Sequence, residues 1–369
     1  MKILYFYPEH RGDFMFQWQR IHFIDELSRS GTNIEILNPL DYDSLEQAHE
    51  ELLKILKNNE YDLFFISASL YVSKDVLASI KELGIPSLCF RPDNLLIPYI
   101  DKDIASSFDL VWLTSMETED LYKKWGANYF FAPYAANPHS FVPQDGNLIK
   151  KVGFIGTPYG SRSNMINSLV KAGINIDVYC RNNPSLKSEK FIPKYQGPTM
   201  SSWEVLLNNI SYKEGRTVLW ANLLNRLQKH ELLEHESCIN LLPKVSFENL
   251  NSIYSNYALS LSSTSARNTD ILKNPVNVIN LRAFEIPMAG GLQFCRYCKE
   301  LADYFEDGKE IVFYRSQEEM VDKATYYTTK ASNSEIMSMK MAARARAERD
   351  HTWTNRFEKA FDLLGIKKK

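Results

Sequence analysis

Leu281-Arg-Ala-Phe-Glu-Ile-Pro-Met-Ala-Gly-Gly-Leu-Gln-Phe294 joins a short helix to an apolar strand across the stop Gly290-Gly291. Glu285 falls at the expected start of that helix. A carboxylate repels phosphate, but it accepts hydrogen bonds from two neighbouring hydroxyls, as acidic residues do with ribose in nucleotide-binding folds. Backbone N–H groups at the same helix start are expected to stay open to a phosphate. Acidic residues are also favoured in any first helical turn. The segment therefore reads either as a nucleotide grip or as an ordinary capped helix packed on a strand.

The same helix–strand alternation runs outward through the chain. Strands are expected at Lys2–Tyr7, Asn33–Leu37, Asp62–Ala68, Pro86–Phe90, Leu110–Thr114 and Phe130–Ala132, with helices such as Ser44–Asn58 between them. Strands separated by helices of ten or more residues mean βαβ units and a mostly parallel sheet. The stretch Pro138–Asn147 breaks the pattern with Pro, Asp, Gly and Asn and reads as a linker. The alternation restarts at Lys151–Ile155 and continues to a helix over Asn333–Asp350, with a last helix at Asn355–Leu364. Residues 184–237 do not fit the repeat and read as a helical insertion with a helix over Val218–His235. The expected architecture is α/β: two tandem Rossmann-like domains facing a cleft. Their bounds are 1–140 and 148–350, followed by a C-terminal segment, 351–369, that returns to the first.

Composition narrows the class. The 369 residues are 44% hydrophobic and 24% charged, ample for two cores. Lys+Arg 43 against Asp+Glu 45 gives a net charge of −2, which argues against a nucleic-acid partner. Met1–Pro8 is too soon broken by Pro8 to act as a signal peptide, and no apolar run approaches the roughly 20 residues of a membrane span. Five scattered cysteines suit a reducing compartment, and Cys295-Arg-Tyr-Cys298 lacks a second ligand pair for zinc. The expectation is a cytoplasmic protein. Lys367–Lys369 reads as a solvated tail or as a peripheral contact with the inner face of a membrane.

Ligands of doubly wound sheets sit at the carboxyl ends of the strands. After Val152–Ile155 comes Gly156-Thr-Pro-Tyr-Gly-Ser-Arg162, where glycine admits a phosphate to the backbone and Arg162 can neutralise it. The Gly-Lys-Ser/Thr ending of a Walker loop is absent. Ser262–Asp270 brings hydroxyls and Arg267 after another strand, and Arg282 precedes Glu285 by three residues. The expected nucleotide-binding set is thus Gly156, Arg162, Arg267, Arg282, Glu285, Gly290 and Gly291. In the first half, His10 and Asp13 follow the first strand and Asp93 follows another; each can transfer a proton. Plain turns and solvated loops account for the same residues equally well.

These blocks together resemble the CgeB-like (spore maturation protein-like) group of glycosyltransferases, within the GT-B superfold. The resemblance runs from Phe108 to about Phe357, through Asp109–Thr114, Phe131–Pro138, Val152–Arg162, Leu281–Phe294, Tyr304–Val312 and His351–Arg356. It implies transfer of a sugar from a nucleotide-diphosphate sugar, UDP- or GDP-linked, to a glycan, glycoconjugate or protein acceptor, with no metal or other cofactor. In related retaining enzymes a Glu-x7-Glu motif grips the donor. Glu285 matches the second glutamate, which contacts ribose, but Asn277 stands in place of the first. Of the relatives' basic pair, Arg162 fits one position and Thr157 replaces the other. The kinship leans towards retention, with the leaving phosphate taking the acceptor proton. An inverting course would call on His10 or Asp13 as base. A nucleotide-sugar epimerase of the same fold and a catalytically inactive sugar-binding or scaffold protein are the alternatives.

Overall fold

The computed structural model describes residues 1–11, 17–183, 186, 191–228 and 231–367. Asp13 and the last two lysines lie outside the described residues. Contacts divide the chain into two compact units. The first gathers the described residues of 1–133, 187–216 and 353–369; the second gathers those of 134–186 and 217–352.

The first unit is built on strands β1 (Lys2–Phe6), β2 (Asn33–Leu37), β3 (Leu63–Ile66), β4 (Ser87–Arg91), β5 (Leu110–Leu113) and β6 (Tyr129–Phe131). They form one sheet in the order β2-β1-β3-β4-β5-β6, every pair parallel. Strands β3, β4 and β5 are buried along their whole length, as a parallel sheet covered on both faces requires. Leu4, Phe6, Phe64 and Ile66 face the helices Leu45–Asn58 and Lys74–Glu82 through Leu52, Leu56, Val76 and Ile80. On the other face, the Phe357 ring of the final helix, Trp353–Leu364, stands 5.4 Å from that of Phe65 and 5.2 Å from that of Trp112. Glu26 caps that helix: its carboxylate accepts from Trp353 N at 3.2 Å and Thr354 N at 2.6 Å.

The second unit carries β7 (Ile149–Ile155), β8 (Ile176–Arg181), β9 (Ile239–Pro243), β10 (Tyr257–Leu261), β11 (Gln293–Arg296) and β12 (Val312–Tyr314). Their order is β12-β11-β10-β7-β8-β9, again all parallel. This is the doubly wound order, and it reverses between β7 and β10. Val152, Phe154, Ile176, Val178, Leu259 and Phe294 make its core. The reversal sets the loops after β7 and after β10 side by side.

The stretch 184–237 differs from the single insertion the sequence suggests. Its described residues from 191 to 216 join the first unit, and residue 186 and those from 217 join the second. Tyr212 explains the first attachment, since its buried hydroxyl donates towards Leu96 O at 3.0 Å and Leu95 O at 3.3 Å. The helix expected at Val218–His235 is instead Lys213–Arg226, preceded by a second helix, Ser202–Ser211. A Cβ on Gly215 would stand 2.2 Å from Asn209 O and 2.6 Å from the Tyr212 ring, so glycine permits this close approach. Among the described residues no helix is long and apolar enough to cross a membrane.

Candidate functional site

The switch point of the second unit collects cations. Gly156 ends β7 with φ +139°, and a Cβ there would lie 3.2 Å from Arg282 Nη2. Glycine thus lets the Arg282 guanidinium rest on the end of the strand. The chain then turns at Gly160, φ +55°, where a Cβ would stand 2.1 Å from Asn268 Oδ1. The helix Ser161–Lys171 starts there and carries Arg162. The Arg162 guanidinium lies 4.6 Å from the Tyr159 ring centroid, a cation–π geometry. Its Nε is buried and has no hydrogen-bond partner. Burial pulls the Arg162 guanidinium below its ordinary value, and the positive charge of Arg282 pulls in the same direction.

Arg282 opens the helix Arg282–Met288, so Glu285 sits on its fourth residue rather than at its start. Asn280 is the reason, because its side chain accepts from Arg282 N at 3.1 Å and begins the helix three residues earlier. The amides of this turn are not open to phosphate. Ala283 N donates to Asn280 O at 3.0 Å, and Phe284 N and Glu285 N both donate to Leu281 O at 2.9 Å. The amides at the other helix start are engaged as well. Ser161 N reaches Asn268 Oδ1 at 3.3 Å, Arg162 N reaches Tyr159 O at 3.2 Å and Ser163 N reaches Gly160 O at 3.1 Å. An anion at these helix starts would meet side-chain guanidinium groups rather than open amides.

Glu285 is 5% exposed. Beside it lies the fully buried Tyr254, whose hydroxyl hydrogen-bonds the Arg282 side chain. Burial first, and the Glu285 charge second, raise the Tyr254 hydroxyl far above its ordinary value, so it stays protonated. Tyr254 therefore fixes the Arg282 side chain, and its hydroxyl also feels the Glu285 carboxylate. It lies on the helix Phe247–Asn256, where it reads from sequence as one more core aromatic.

Gly290 and Gly291 serve the other end of the helix. Gly291 N donates to Ile286 O at 2.8 Å and Gly290 N to Pro287 O at 3.0 Å, the paired bonds of a Schellman cap, with Gly290 at φ +73°. A Cβ on Gly291 would stand 2.9 Å from both Tyr254 O and Ile286 Cγ2. Their positions are set by capping and packing. Arg267 is exposed, in the left-handed region at φ +42°, with no hydrogen bond or ion pair among the described residues. Asp270, in the same loop, hydrogen-bonds the Ser161 side chain and has a buried Oδ1 without a partner. Asn277 pairs with Ser265 in a short antiparallel bridge that closes this loop.

In the first unit, β1 leads to Pro8, Glu9 and His10. His10 is exposed. Glu9 is 1% exposed and receives Arg20 at 2.5 and 2.9 Å and Arg11 at 3.2 Å. Burial pushes the Glu9 carboxyl up, but these two guanidinium groups outweigh it and hold the group below its ordinary value. Glu9 is thus locked as an anion. Asp93 is exposed at φ +56°, a strained backbone for a non-glycine residue, beyond the end of β4. Its neighbour Asn94 is fully buried and ties Thr114 N and Ser115 N to its Oδ1, each at 2.9 Å. Among the described residues no group of three or more His, Cys, Asp or Glu side chains is placed to hold a metal ion.

Residues 207–362 match the family model described as "Glycosyl transferase-like". That stretch, less than half of the chain, is what is similar to the glycosyltransferase family. No curated protein matches it in sequence. Solved structures resemble it over its whole length. One is HepE of Anabaena in complex with UDP-glucose, with a TM-score of 0.56, 11% identity and 100% of both chains covered. Another is an alpha-glucosyltransferase in complex with UDP-glucose and DNA containing an abasic site, with a TM-score of 0.58, 11% identity and 99% of each chain covered. A third is a sucrose-phosphate synthase from Thermosynechococcus elongatus, with a TM-score of 0.54, 11% identity and 99% of each chain covered. The shared feature is the fold, two parallel six-stranded sheets of the GT-B glycosyltransferase type.

Proposed function

We propose that this enzyme takes a nucleotide-diphosphate sugar as donor, UDP- or GDP-linked, and transfers the sugar to a glycan, glycoconjugate or protein acceptor. The observation that carries this reading is the convergence of Arg162 and Arg282 at the β7/β10 switch point, with Arg162 Nε buried and unpartnered. Two cations held together in a partly buried crevice suit a dianionic diphosphate. Glu285, beside Arg282, accepts from the ribose hydroxyls. The UDP and UDP-glucose complexes among the similar folds support the donor class. The matching blocks favour the CgeB-like group within these enzymes.

As the bond between the sugar C1 and the phosphate oxygen breaks, negative charge grows on the leaving diphosphate. Arg162 and Arg282 stabilise that charge in place, so the reaction proceeds without a metal. The C1–oxygen bond to the acceptor forms on the same face, and the acceptor proton passes to the leaving phosphate oxygen, giving retention. His10 and Asp93 are the described groups of the first unit that offer an acceptor hydroxyl a hydrogen-bond partner. The exposed Trp203 and Leu207 of the helix Ser202–Ser211, 74% and 64% accessible, support a peripheral contact with a lipid surface.

A thermal-shift screen of UDP, GDP and their sugar conjugates tests the donor, because a ligand that binds only the folded chain raises its melting temperature. Stabilisation by a nucleoside diphosphate and slow release of that nucleotide from its sugar conjugate are expected. Interconversion of sugars would indicate the epimerase instead, and binding without turnover the scaffold. NMR of the anomeric proton in the product checks retention.

A further inference from the structure

From Thr217 onward the helix Lys213–Arg226 belongs to the second unit, and it has two unlike sides. Trp220, Leu223 and Leu227 recur at i, i+3 and i+7 along one side and are 55%, 51% and 78% exposed. Asn222 and Asn225 lie roughly 200° round the helix from Trp220 and Leu223. We infer that the apolar side docks on an anionic lipid surface, and that the asparagine side carries this contact to the helix start beside Arg162. The coupling rests on the nucleotide-sugar reading and adds a regulator to it.

Three large apolar side chains exposed in one row mark an interaction surface. Charge selects its occupant. Lys213, Arg216 and Arg226 are exposed, and Glu214 is the helix's one carboxylate, a cationic excess in a chain whose net charge is −2. Tryptophan seats its ring at the boundary between headgroups and acyl chains. Lysine and arginine lay their stems along that boundary and reach the headgroup phosphates. Trp203 and Leu207 expose the same kinds of side chain on the preceding helix. A second copy of the chain is the poorer occupant, because pairing this helix with itself sets cations against cations.

Direct contacts tie the asparagine side to the anion site. Asn268 Nδ2 donates to Asn222 Oδ1 at 2.8 Å, and Asn268 Oδ1 accepts from Ser161 N at 3.3 Å. Asn225 Nδ2 stands 3.3 Å from where a Gly160 Cβ would be, so glycine lets the helix approach this turn. Gly160 and Ser161 begin the helix that carries Arg162.

The helix is thinly held. Of its apolar side chains Val218 and Ala221 alone are buried, and Asn225 Oδ1 is buried without a hydrogen-bond partner. Such an element belongs to the low-stability end of a fold. A surface that immobilises it also steadies the Gly160 turn and favours the arrangement that binds the anion. Linkage makes the effect reciprocal.

Co-sedimentation of the full chain with vesicles reads the docking. The vesicles are phosphatidylcholine alone, or phosphatidylcholine with phosphatidylglycerol. Calorimetry with UDP and GDP, with and without vesicles, reads the coupling. One variant joins Trp220→Ser to Leu223→Ser; the other is Asn222→Ala. Thermal melts confirm that each is folded. The native chain is expected to bind the anionic vesicles, less so at high salt, and the serine variant to bind them about tenfold or more weakly. Nucleoside diphosphate is expected to bind the vesicle-bound native chain about fivefold or more tightly than the free chain. Asn222→Ala should keep vesicle binding and lose that gain.

A native chain that ignores anionic vesicles overturns the docking, and so does undiminished binding by the serine variant. Self-association that the serine variant abolishes, in a chain that ignores vesicles, gives the stripe to a second copy instead. Equal nucleotide affinity on and off the vesicles overturns the coupling, as does a gain that survives in Asn222→Ala. If neither nucleotide binds under any condition, the donor reading falls and the coupling with it, while the vesicle result still decides the docking.

Discussion

Arg162 and Arg282 lie close enough that the charge of one lowers the proton affinity of the other, although each belongs to a different helix start. Like charges at short range cost about 1 kcal/mol in water and several times that in a partly buried crevice. Arg162 carries no ion pair that would offset this cost among the described residues. An anion between the two relieves the repulsion and satisfies the orphan Nε.

The two arginines should therefore respond differently to removal. Arg162→Ala is expected to weaken nucleoside diphosphate binding by about 1.5–3 kcal/mol, roughly 10- to 100-fold. The melting temperature of the free chain should change little, since the repulsion and the cation–π contact with Tyr159 go together and no intramolecular hydrogen bond is lost. Arg282→Ala should weaken binding similarly but also lower the melting temperature, because the buried Tyr254 hydroxyl loses its partner. Titration calorimetry with parallel melts reads both. Unchanged affinity in Arg162→Ala would remove the diphosphate from this crevice.

Gly290→Ala separates capping from binding. The residue occupies φ +73° and a Cβ would meet Pro143 Cβ and Cγ at 3.0 Å. A left-handed alanine costs about 1–2 kcal/mol, so the denaturation midpoint should fall by that equivalent. Nucleotide affinity measured at a temperature where the variant is folded should stay within about twofold. A selective loss of affinity without loss of stability would return Gly290 to the binding site.

Much of the fold was legible because its signals are local. Strands β3, β4 and β5 are apolar runs between turns since both their faces are covered. The helix Asn333–Asp350 begins where Ser332 accepts from Glu335 N at 3.1 Å, a cap written in adjacent residues. The helix Ser202–Ser211 was not read, because none of its residues is buried and no stripe distinguishes it from its surroundings. Arg162 could be picked out because it follows a strand end, and Arg282 and Glu285 because they fall about the start of a helix closed by Gly290-Gly291. Tyr254 and Asp270 acquire their roles only from long-range placement: one faces a helix start nearly thirty positions away, the other a hydroxyl more than a hundred positions back. Glu285 was misplaced by three residues for a local reason, since Asn280 rather than the acidic residue begins the turn.

Trp353 anchors the returning helix. It is fully buried, its Nε1 donates to His22 Nδ1 at 3.0 Å, and its ring lies 5.4 Å from Phe23 and 5.9 Å from Phe90. Trp353→Ala should destabilise the first unit by about 3–5 kcal/mol, the usual cost of emptying a large aromatic site. Hydrogen exchange should show the Trp353–Leu364 amides opening before the β1, β3 and β4 amides do. Loss of protection in the whole sheet at the same rate would mean that this helix is integral to the core and has no separate opening.

Lys340 makes stability depend on pH in a direction unlike that of an ordinary lysine. Its ammonium is 1% exposed and donates to Ser255 O at 2.6 Å and Tyr257 O at 2.7 Å, with no carboxylate in the contact. Burial lowers it from 10.5 to about 7. Between those two values the unfolded chain holds a proton that the folded chain has released. Folding stability therefore rises with pH across this window, by up to about 1.4 kcal/mol per pH unit, and the contribution is flat below pH 7, where both states are protonated. Tyrosines and cysteines with raised values act in the opposite sense at higher pH, so the comparison must be with Lys340→Met rather than with the native chain alone. Lys340→Met also strips two carbonyls of their donor and should be less stable at every pH. The stability difference between native and variant chains, from urea melts at pH 6, 7, 8 and 9, is expected to be constant up to about 7 and to widen above it. A difference that stays constant up to pH 9 would mean that Lys340 keeps its charge in the folded state.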